Sequence, residues 1–204
     1  MKEGARPVQN ADDPSGICSA ADCRLVVYQT VALAQKFWIK GDEFSIHSLL
    51  HVPPDSAQAK QYEGASLAIF RLAPADYHRF HSPIDGEIGD VTHIPGQYYT
   101  GTHPISILHA CILEFTRVMA VNPQAVNEKD FDVFTRNTRS VLYITHAKTG
   151  HRVAFVAIGA LLVGSIRFTN GAKKGSKIKR GEELGYFAYG GSTVVCVFPK
   201  GVIQ

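Results

Sequence analysis

The stretch Leu184-Gly185-Tyr186-Phe187-Ala188-Tyr189-Gly190-Gly191-Ser192-Thr193-Val194-Val195-Cys196-Val197-Phe198 constrains the fold more than any other part of the sequence. Aromatic and small residues lead into paired glycines, a hydroxyl pair follows, and a β-branched run closes the stretch. Branching at Cβ stiffens the side chain and favours extended backbone, so the glycines read as a bend between two strands. Two roles for Ser192 then stand side by side. In the plain one it is a solvated turn serine. In the other, the glycines let groups approach the Gly191 carbonyl, and the Ser192 hydroxyl is placed to attack it.

The remaining strand signals follow the same pattern of short β-rich runs broken by turn residues. Residues 1–16 are polar and rich in Pro, Asp and Gly, an irregular lead-in. Arg24–Thr30 and Leu33–Lys40 read as closely joined β segments, with Gly41-Asp42 as a turn. Ser45–Leu50 reads as a short helix capped by Ser45, His51–Lys60 as a loop, and Ala65–Leu72 as a strand. Ala75–His81 is compact and aromatic, and Ser82-Pro83 closes it. Glu87–Thr92 and Gly96–Thr100 alternate around a turn at Ile94-Pro95-Gly96. The clearest hairpin pairs Ser140–Thr145 with Arg152–Ile158 across His146–Gly150. Leu161–Thr169 is expected to continue the sheet, and Lys173–Arg180 reads as a basic, exposed segment. Gly101–Ala120 differs, because Ile107–Met119 has helical apolar spacing. The class is mainly β (α+β), an antiparallel β-sheet or barrel-like core with short helices.

At 204 residues the chain fits one core better than two. Hydrophobic content of 45% with 19% charged residues describes an ordinary globule. The net charge of +3 leans towards anionic surfaces, and the absence of an Arg/Lys-rich helix or an aromatic RNA-binding motif argues against nucleic acid. Cys18, Cys23, Cys111 and Cys196 have neither C-x-x-C nor zinc spacing, which fits reduced, intracellular thiols. Met1 to Pro14 is too polar for a secretory signal. The apolar run Val153–Ile166 contains Gly159 and Gly164 and is too short to span a bilayer, so membrane contact is expected to be peripheral.

Chemistry-bearing residues fall in three places. Asp22 lies just before a strand, where a turn aspartate is common. His78 and His81, three apart, share a face if their segment is helical. They read as partly buried histidines satisfied by backbone or as a metal pair, and with no third ligand in view no metal is expected. Ser192 is the third.

Together with Ala21-Asp22-Cys23-Arg24, Phe37-Trp38-Ile39-Lys40-Gly41, Phe70–Pro83, Pro95–Thr100, Val163–Ile166 and Gly181–Thr193, these residues make the sequence resemble the phosphatidylserine decarboxylases. The likeness is closest to the eukaryotic branch that carries G-G-S-T. The specific signature is D-Y-H-R-x-H-x-P at Asp76–Pro83, followed at a distance by G-S-T. The resemblance implies a self-processing, pyruvoyl-dependent enzyme that converts phosphatidylserine to phosphatidylethanolamine with release of carbon dioxide. It assigns Ser192 as nucleophile and pyruvoyl precursor, His81 as base and Asp22 as the group that orients it. A serine hydroxyl is a weak nucleophile and needs such a base. Cleavage between Gly191 and Ser192 would yield a β chain (1–191) and an α chain (192–204). The pyruvoyl ketone then condenses with the substrate amine and withdraws electrons, as pyridoxal phosphate does elsewhere. His78 matches a second family histidine that handles the substrate carboxylate or reprotonates the α-carbon. Phe70, Ile84 and Tyr98 read as core residues or as apolar contacts for the glycerol and acyl portion. Lys173, Lys174, Lys177, Lys179 and Arg180 read as a solvated loop or as a dock for anionic lipid.

The resemblance also implies a homodimer on an intracellular membrane, Golgi/endosomal or mitochondrial. One catalytic domain, 1–204, is expected, with 101–120 as an atypical insertion, because Tyr98-Tyr99-Thr100 would ordinarily run into Val121-Asn122-Pro123. Helical residues usual in the family before Gly4-Ala5-Arg6-Pro7-Val8 have little room here, so a truncated catalytic core is expected. The competing functions are pyruvoyl-dependent decarboxylation of a free aromatic amino acid and an inactive lipid-binding remnant.

Overall fold

The computed structural model describes residues 4–37, 44–73, 75–96, 133–159, 165–188 and 192–203. The β-branched run after Ser192 forms the strand on which the fold is assembled. It is β10, Ser192–Phe198, and every residue in it is buried. It lies between β2, Ser66–Leu72, and β6, Arg152–Ile158, and is antiparallel to both. The register sets Ser192 opposite Leu72 and Val195 opposite Ile69 and Val156. The sheet continues outward through β1, Arg24–Tyr28, on one side. On the other side it runs through β5, Arg139–His146, then β4, Gly86–Ile94, and β8, Lys177–Ile178. The result is a seven-stranded sheet in the order β1-β2-β10-β6-β5-β4-β8. A smaller sheet has the order β3-β9-β7, from Arg79–His81, Glu183–Ala188 and Ser165–Phe168. The mainly β, antiparallel expectation holds, and both sheets are open rather than closed into a barrel among the described residues.

Alternation along β10 divides the interior in two. Val195 and Val197 join Leu67, Ile69, Val141, Tyr143, Ala154 and Val156 in one apolar cluster. That cluster also holds Ala34 of α1 (Val31–Phe37), Leu49 and Leu50 of α2 (Ile46–Leu50), and, beyond α3 (Ala57–Lys60), which buries none of its own residues, Phe134 of α4 (Val133–Arg136). Val194, Cys196 and Phe198 point the other way, into a cluster with Ala68, Phe70, Leu142, Phe155 and the small sheet's Phe80, Leu184 and Phe187. The large sheet is therefore covered by helices on one face and by the small sheet on the other. Burying a side chain the size of Val or Phe contributes about 1.5–3 kcal/mol, so a strand buried on both faces is a large part of what holds the layers together.

Local chemistry explains where the chain departs from expectation. Leu33–Lys40 was expected as strand, yet Val31–Phe37 is a helix. The Thr30 hydroxyl accepts the amide of Leu33 at 3.3 Å and its carbonyl accepts that of Ala34 at 3.2 Å. Leu33, Ala34, Gln35 and Lys36 are good helix formers once that cap starts the turn. Within the expected loop His51–Lys60, Ser56 caps α3 by accepting the amide of Ala59 at 3.1 Å. The expected Ser45 cap is present and accepts from Ser48 at 3.1 Å, and the expected hairpin is β5–β6. Ser165–Phe168 does not extend the large sheet. It pairs with β9 in the small one. The strand Gly96–Thr100 beyond Gly96, the helical spacing at Ile107–Met119 and the atypical segment 101–120 fall outside the described residues.

Candidate active site

Ser192, the first residue of β10, is 1% exposed. By alternation it shares the face of Val194 and Cys196, towards the small sheet. Its hydroxyl is buried and has no hydrogen-bond partner. A solvated turn serine is therefore the wrong description. An unpaired buried hydroxyl costs roughly 1–3 kcal/mol, so a position that keeps one calls for a reason.

His81 ends β3 and is 5% exposed. The pairing of β3 with β9 shifts register between Phe80 and His81. The extra residue of that irregularity is on β9, where Leu184 falls between the partners of Phe80 and His81. The His81 amide donates to the Ala20 carbonyl at 2.8 Å. Its ring Nδ1 lies 3.0 Å from the Gly181 carbonyl oxygen. A carbonyl can only accept, so Nδ1 carries the hydrogen and Nε2 is the lone-pair nitrogen of the neutral ring. Nε2 is buried and has no partner. Burial pushes the imidazole below its ordinary pKa, against opposing contributions from Gly181, Glu183 and Asp22. A neutral imidazole with a free Nε2 is the form a general base needs.

Asp22 sits in the bend before β1, two residues beyond the carbonyl that holds His81. Both its oxygens are engaged by Arg6: Nε lies 3.0 and 3.1 Å from them, and Nη2 lies 2.5 Å from Oδ2. That contact draws the carboxyl below its usual range, and His81 adds a smaller effect in the same direction. Asp22 and His81 therefore lie within electrostatic reach of each other. The group on Nδ1 is Gly181, not Asp22.

The segment carrying His78 is extended rather than helical, and the His78 carbonyl accepts the amide of Phe187 at 2.9 Å. Tyr77 stacks on His81 with ring centroids 5.9 Å apart and planes inclined by 22°. The Arg6 guanidinium carbon lies over the Tyr77 ring, 4.1 Å from its centroid. Phe70 is 2% exposed and packs in the inter-sheet core opposite Val194, with Ile84 in the same cluster. Gly191 and Tyr98 lie outside the described residues. Of the basic segment, Lys173, Lys174, Lys177 and Lys179 are exposed, but Arg180 is not. It is 5% exposed and its Nη2 donates to the Asn10 carbonyl, so it fastens the N-terminal segment instead of facing solvent. Among the described residues, no group of three or more His, Cys, Asp or Glu could hold a metal ion, and no helix is long and apolar enough to cross a membrane.

The family model described as phosphatidylserine decarboxylase matches residues 1–204. The chain belongs to the phosphatidylserine decarboxylase family. Among its relatives is phosphatidylserine decarboxylase proenzyme 2 of Oryza sativa subsp. japonica, 42% identical over 204 residues, which are 100% of this chain and 28% of the relative. Phosphatidylserine decarboxylase proenzyme 3 of Schizosaccharomyces pombe is 41% identical over 202 residues, 99% of this chain and 18% of that protein. The phosphatidylserine decarboxylase proenzyme of Fusobacterium nucleatum is 37% identical over 201 residues, 98% of this chain and 57% of the relative. The chain thus spans between 18% and 57% of the length of these relatives.

At this candidate site in a phosphatidylserine decarboxylase family member, sequence reasoning missed Arg6, Tyr77 and Gly181. Each stood inside a motif already in view: Gly4–Val8, Asp76–Pro83 and the Gly181-Glu182-Glu183 lead-in. Their roles depend on contacts between residues far apart in the chain, which motif spacing does not carry.

Proposed function

We propose that this chain is a self-processing decarboxylase that acts on phosphatidylserine to give phosphatidylethanolamine and carbon dioxide. The observation that carries the reading is the pair of buried, unpartnered atoms of complementary kind, the Ser192 hydroxyl and the His81 Nε2 lone pair. One needs to lose a proton and the other can take it.

In this reading Ser192 Oγ attacks the Gly191 carbonyl carbon while His81 Nε2 accepts its proton. The Gly191–Ser192 amide becomes an ester, and elimination across Ser192 Cα–Cβ releases the chain ending at Gly191. Hydrolysis with loss of ammonia leaves a pyruvoyl group at position 192. Both residues fit that conversion: a hydroxyl unpaired in the fold is free to react, and a ring kept neutral by burial is ready to act as base. Gly181 holds the ring in the tautomer that presents Nε2. Asp22 supplies negative charge near the imidazolium formed when His81 takes the proton.

A pyruvoyl group supplies a ketone that condenses with a primary amine and withdraws electrons as carbon dioxide leaves. Residue 192 would hold it, at the start of β10 and against the inter-sheet core that contains Phe70. His78 is assigned to the substrate carboxylate or to reprotonation of the α-carbon. Phe70 and Tyr98 are assigned to the apolar part of the substrate. The exposed Lys173, Lys174, Lys177 and Lys179 suit a surface of anionic lipid, each contributing about 1 kcal/mol near such a surface. The enzyme is taken to work as a homodimer on an intracellular membrane, Golgi/endosomal or mitochondrial.

Carbon dioxide release from phosphatidylserine vesicles and from free tryptophan, assayed side by side, tests the substrate. Release from the vesicles alone is expected. Release from tryptophan alone would assign the chemistry to a free amino acid, and release from neither would leave a lipid-binding remnant.

A further inference from the structure

His81 is clamped from its edge and from its face. The edge contacts are the Ala20 carbonyl at 2.8 Å from its amide and the Gly181 carbonyl at 3.0 Å from Nδ1. The face contact is the Tyr77 ring, centroid 5.9 Å away. Tyr77 is in turn covered by the Arg6 guanidinium at 4.1 Å, and Arg6 is held flat by three hydrogen bonds to Asp22. The order Asp22–Arg6–Tyr77–His81 is a continuous stack that ties the N-terminal segment to the ring. As an ion pair, Arg6 and Asp22 would matter little, since their side chains are 37% and 46% exposed and water screens such pairs. The planar guanidinium over an aromatic face is a different matter, because Arg serves that geometry and Lys does not.

We propose that the Arg6–Asp22 pair is a brace that fixes His81 through Tyr77, which makes Arg6 a positioning residue for cleavage at Ser192. The proposal rests on the reading of His81 as the base for that cleavage. The charged and titratable groups around the ring divide as follows. Glu183 on β9 is paired with Arg79 at 2.6 Å, Asp22 lies in the bend, Arg6 comes from the N-terminal segment, and the Tyr77 phenol lies on the ring face. Arg6 disfavours the charged imidazole, and Asp22 and Glu183 favour it. The two halves of the brace therefore bias His81 in opposite senses.

Two measurements on the full chain test this. The first is an NMR titration of His81 in the uncleavable Ser192→Ala background, alone and with Arg6→Gln, Arg6→Lys or Asp22→Asn. The second is the pH–rate profile of self-cleavage for the same Arg6 and Asp22 variants with Ser192 intact. Arg6→Gln is expected to raise the His81 midpoint, because it removes a cation and leaves the Asp22 carboxylate unmasked. Asp22→Asn is expected to lower it, because Arg6 is left uncompensated. The acid limb of the cleavage profile should move in the same direction as the midpoint in each variant. Arg6→Lys keeps the charge and loses the flat stack, so the cleavage rate should fall with the midpoint nearly unmoved. Midpoints that move in the same direction in Arg6→Gln and Asp22→Asn, or stay still in both, overturn the brace. A wild-type chain that does not cleave overturns the reading of Ser192, and the titration then judges the brace by itself.

Discussion

The two faces of the large sheet treat buried polar groups in opposite ways. Beneath the helices, among the described residues, the buried polar side chains have partners. The buried Arg139 guanidinium donates to the carbonyls of Leu49, Thr135, Asn137 and Ser48 and so ties α2 and α4 to β5. The Tyr62 hydroxyl donates to the Arg152 carbonyl at 2.9 Å, and the Tyr143 hydroxyl accepts from Gln58 at 2.7 Å. Towards the small sheet, Ser192 Oγ, His81 Nε2, His146 Nε2 and the Tyr77 hydroxyl are buried without a partner. Folding alone would remove such orphans, because each costs roughly 1–3 kcal/mol. The helix-covered face is built for stability. The other face keeps unpaired groups where the reaction is proposed, which is how a site retains atoms free to react.

The contrast can be broken by comparing equivalent substitutions on the two faces, in the Ser192→Ala background so that the chain stays intact. The largest effect is expected at Arg139→Met, which strands several buried carbonyls. It should cost about 3 kcal/mol and lower Tm by about 6–12 °C in thermal denaturation. A matched pair of tyrosines sharpens the comparison. Tyr62→Phe deletes a satisfied hydroxyl and should cost about 1 kcal/mol, whereas Tyr77→Phe deletes an orphan and should be neutral or stabilising by up to about 1 kcal/mol, read from urea midpoints. Equal losses at both tyrosines would erase the distinction.

The smallest effect is on pH dependence. Burial holds both His81 and His146 below their ordinary pKa. Below about pH 6.5 the unfolded chain then binds more protons than the folded one, so stability should be steady above that value and fall as pH drops through it. His146→Gln should flatten the fall between pH 7 and pH 5 in urea unfolding. An unchanged slope would mean that His146 carries no part of it.

Legibility in the sequence followed how local each cause is. The Ser45 cap, the β5–β6 hairpin and the strand after Ser192 depend on a few neighbouring residues, and all were readable. The helix at Val31–Phe37 was not, because Val31 and Phe37 suit a strand as well as a helix and the Thr30 cap decided between them. Ser165–Phe168 read as β, but its partner β9 is a choice made by tertiary packing. Arg180 looked like one more exposed cation in a basic run, and only its contact with Asn10, distant in sequence, buries it. At the candidate site, it was the family resemblance that pointed to Asp22, His81 and Ser192. That Gly181 holds Nδ1 while Arg6 occupies Asp22 depends on partners 100 and 16 residues away.

The most direct measurement is the intact mass of the purified chain and of its Ser192→Ala variant. The wild type is expected as two pieces, residues 1–191 and a fragment that starts at position 192 with a pyruvoyl group and no free amine, and the variant as one uncut chain. A wild type of full mass, or a cut that leaves a free serine amine at 192, would contradict the account.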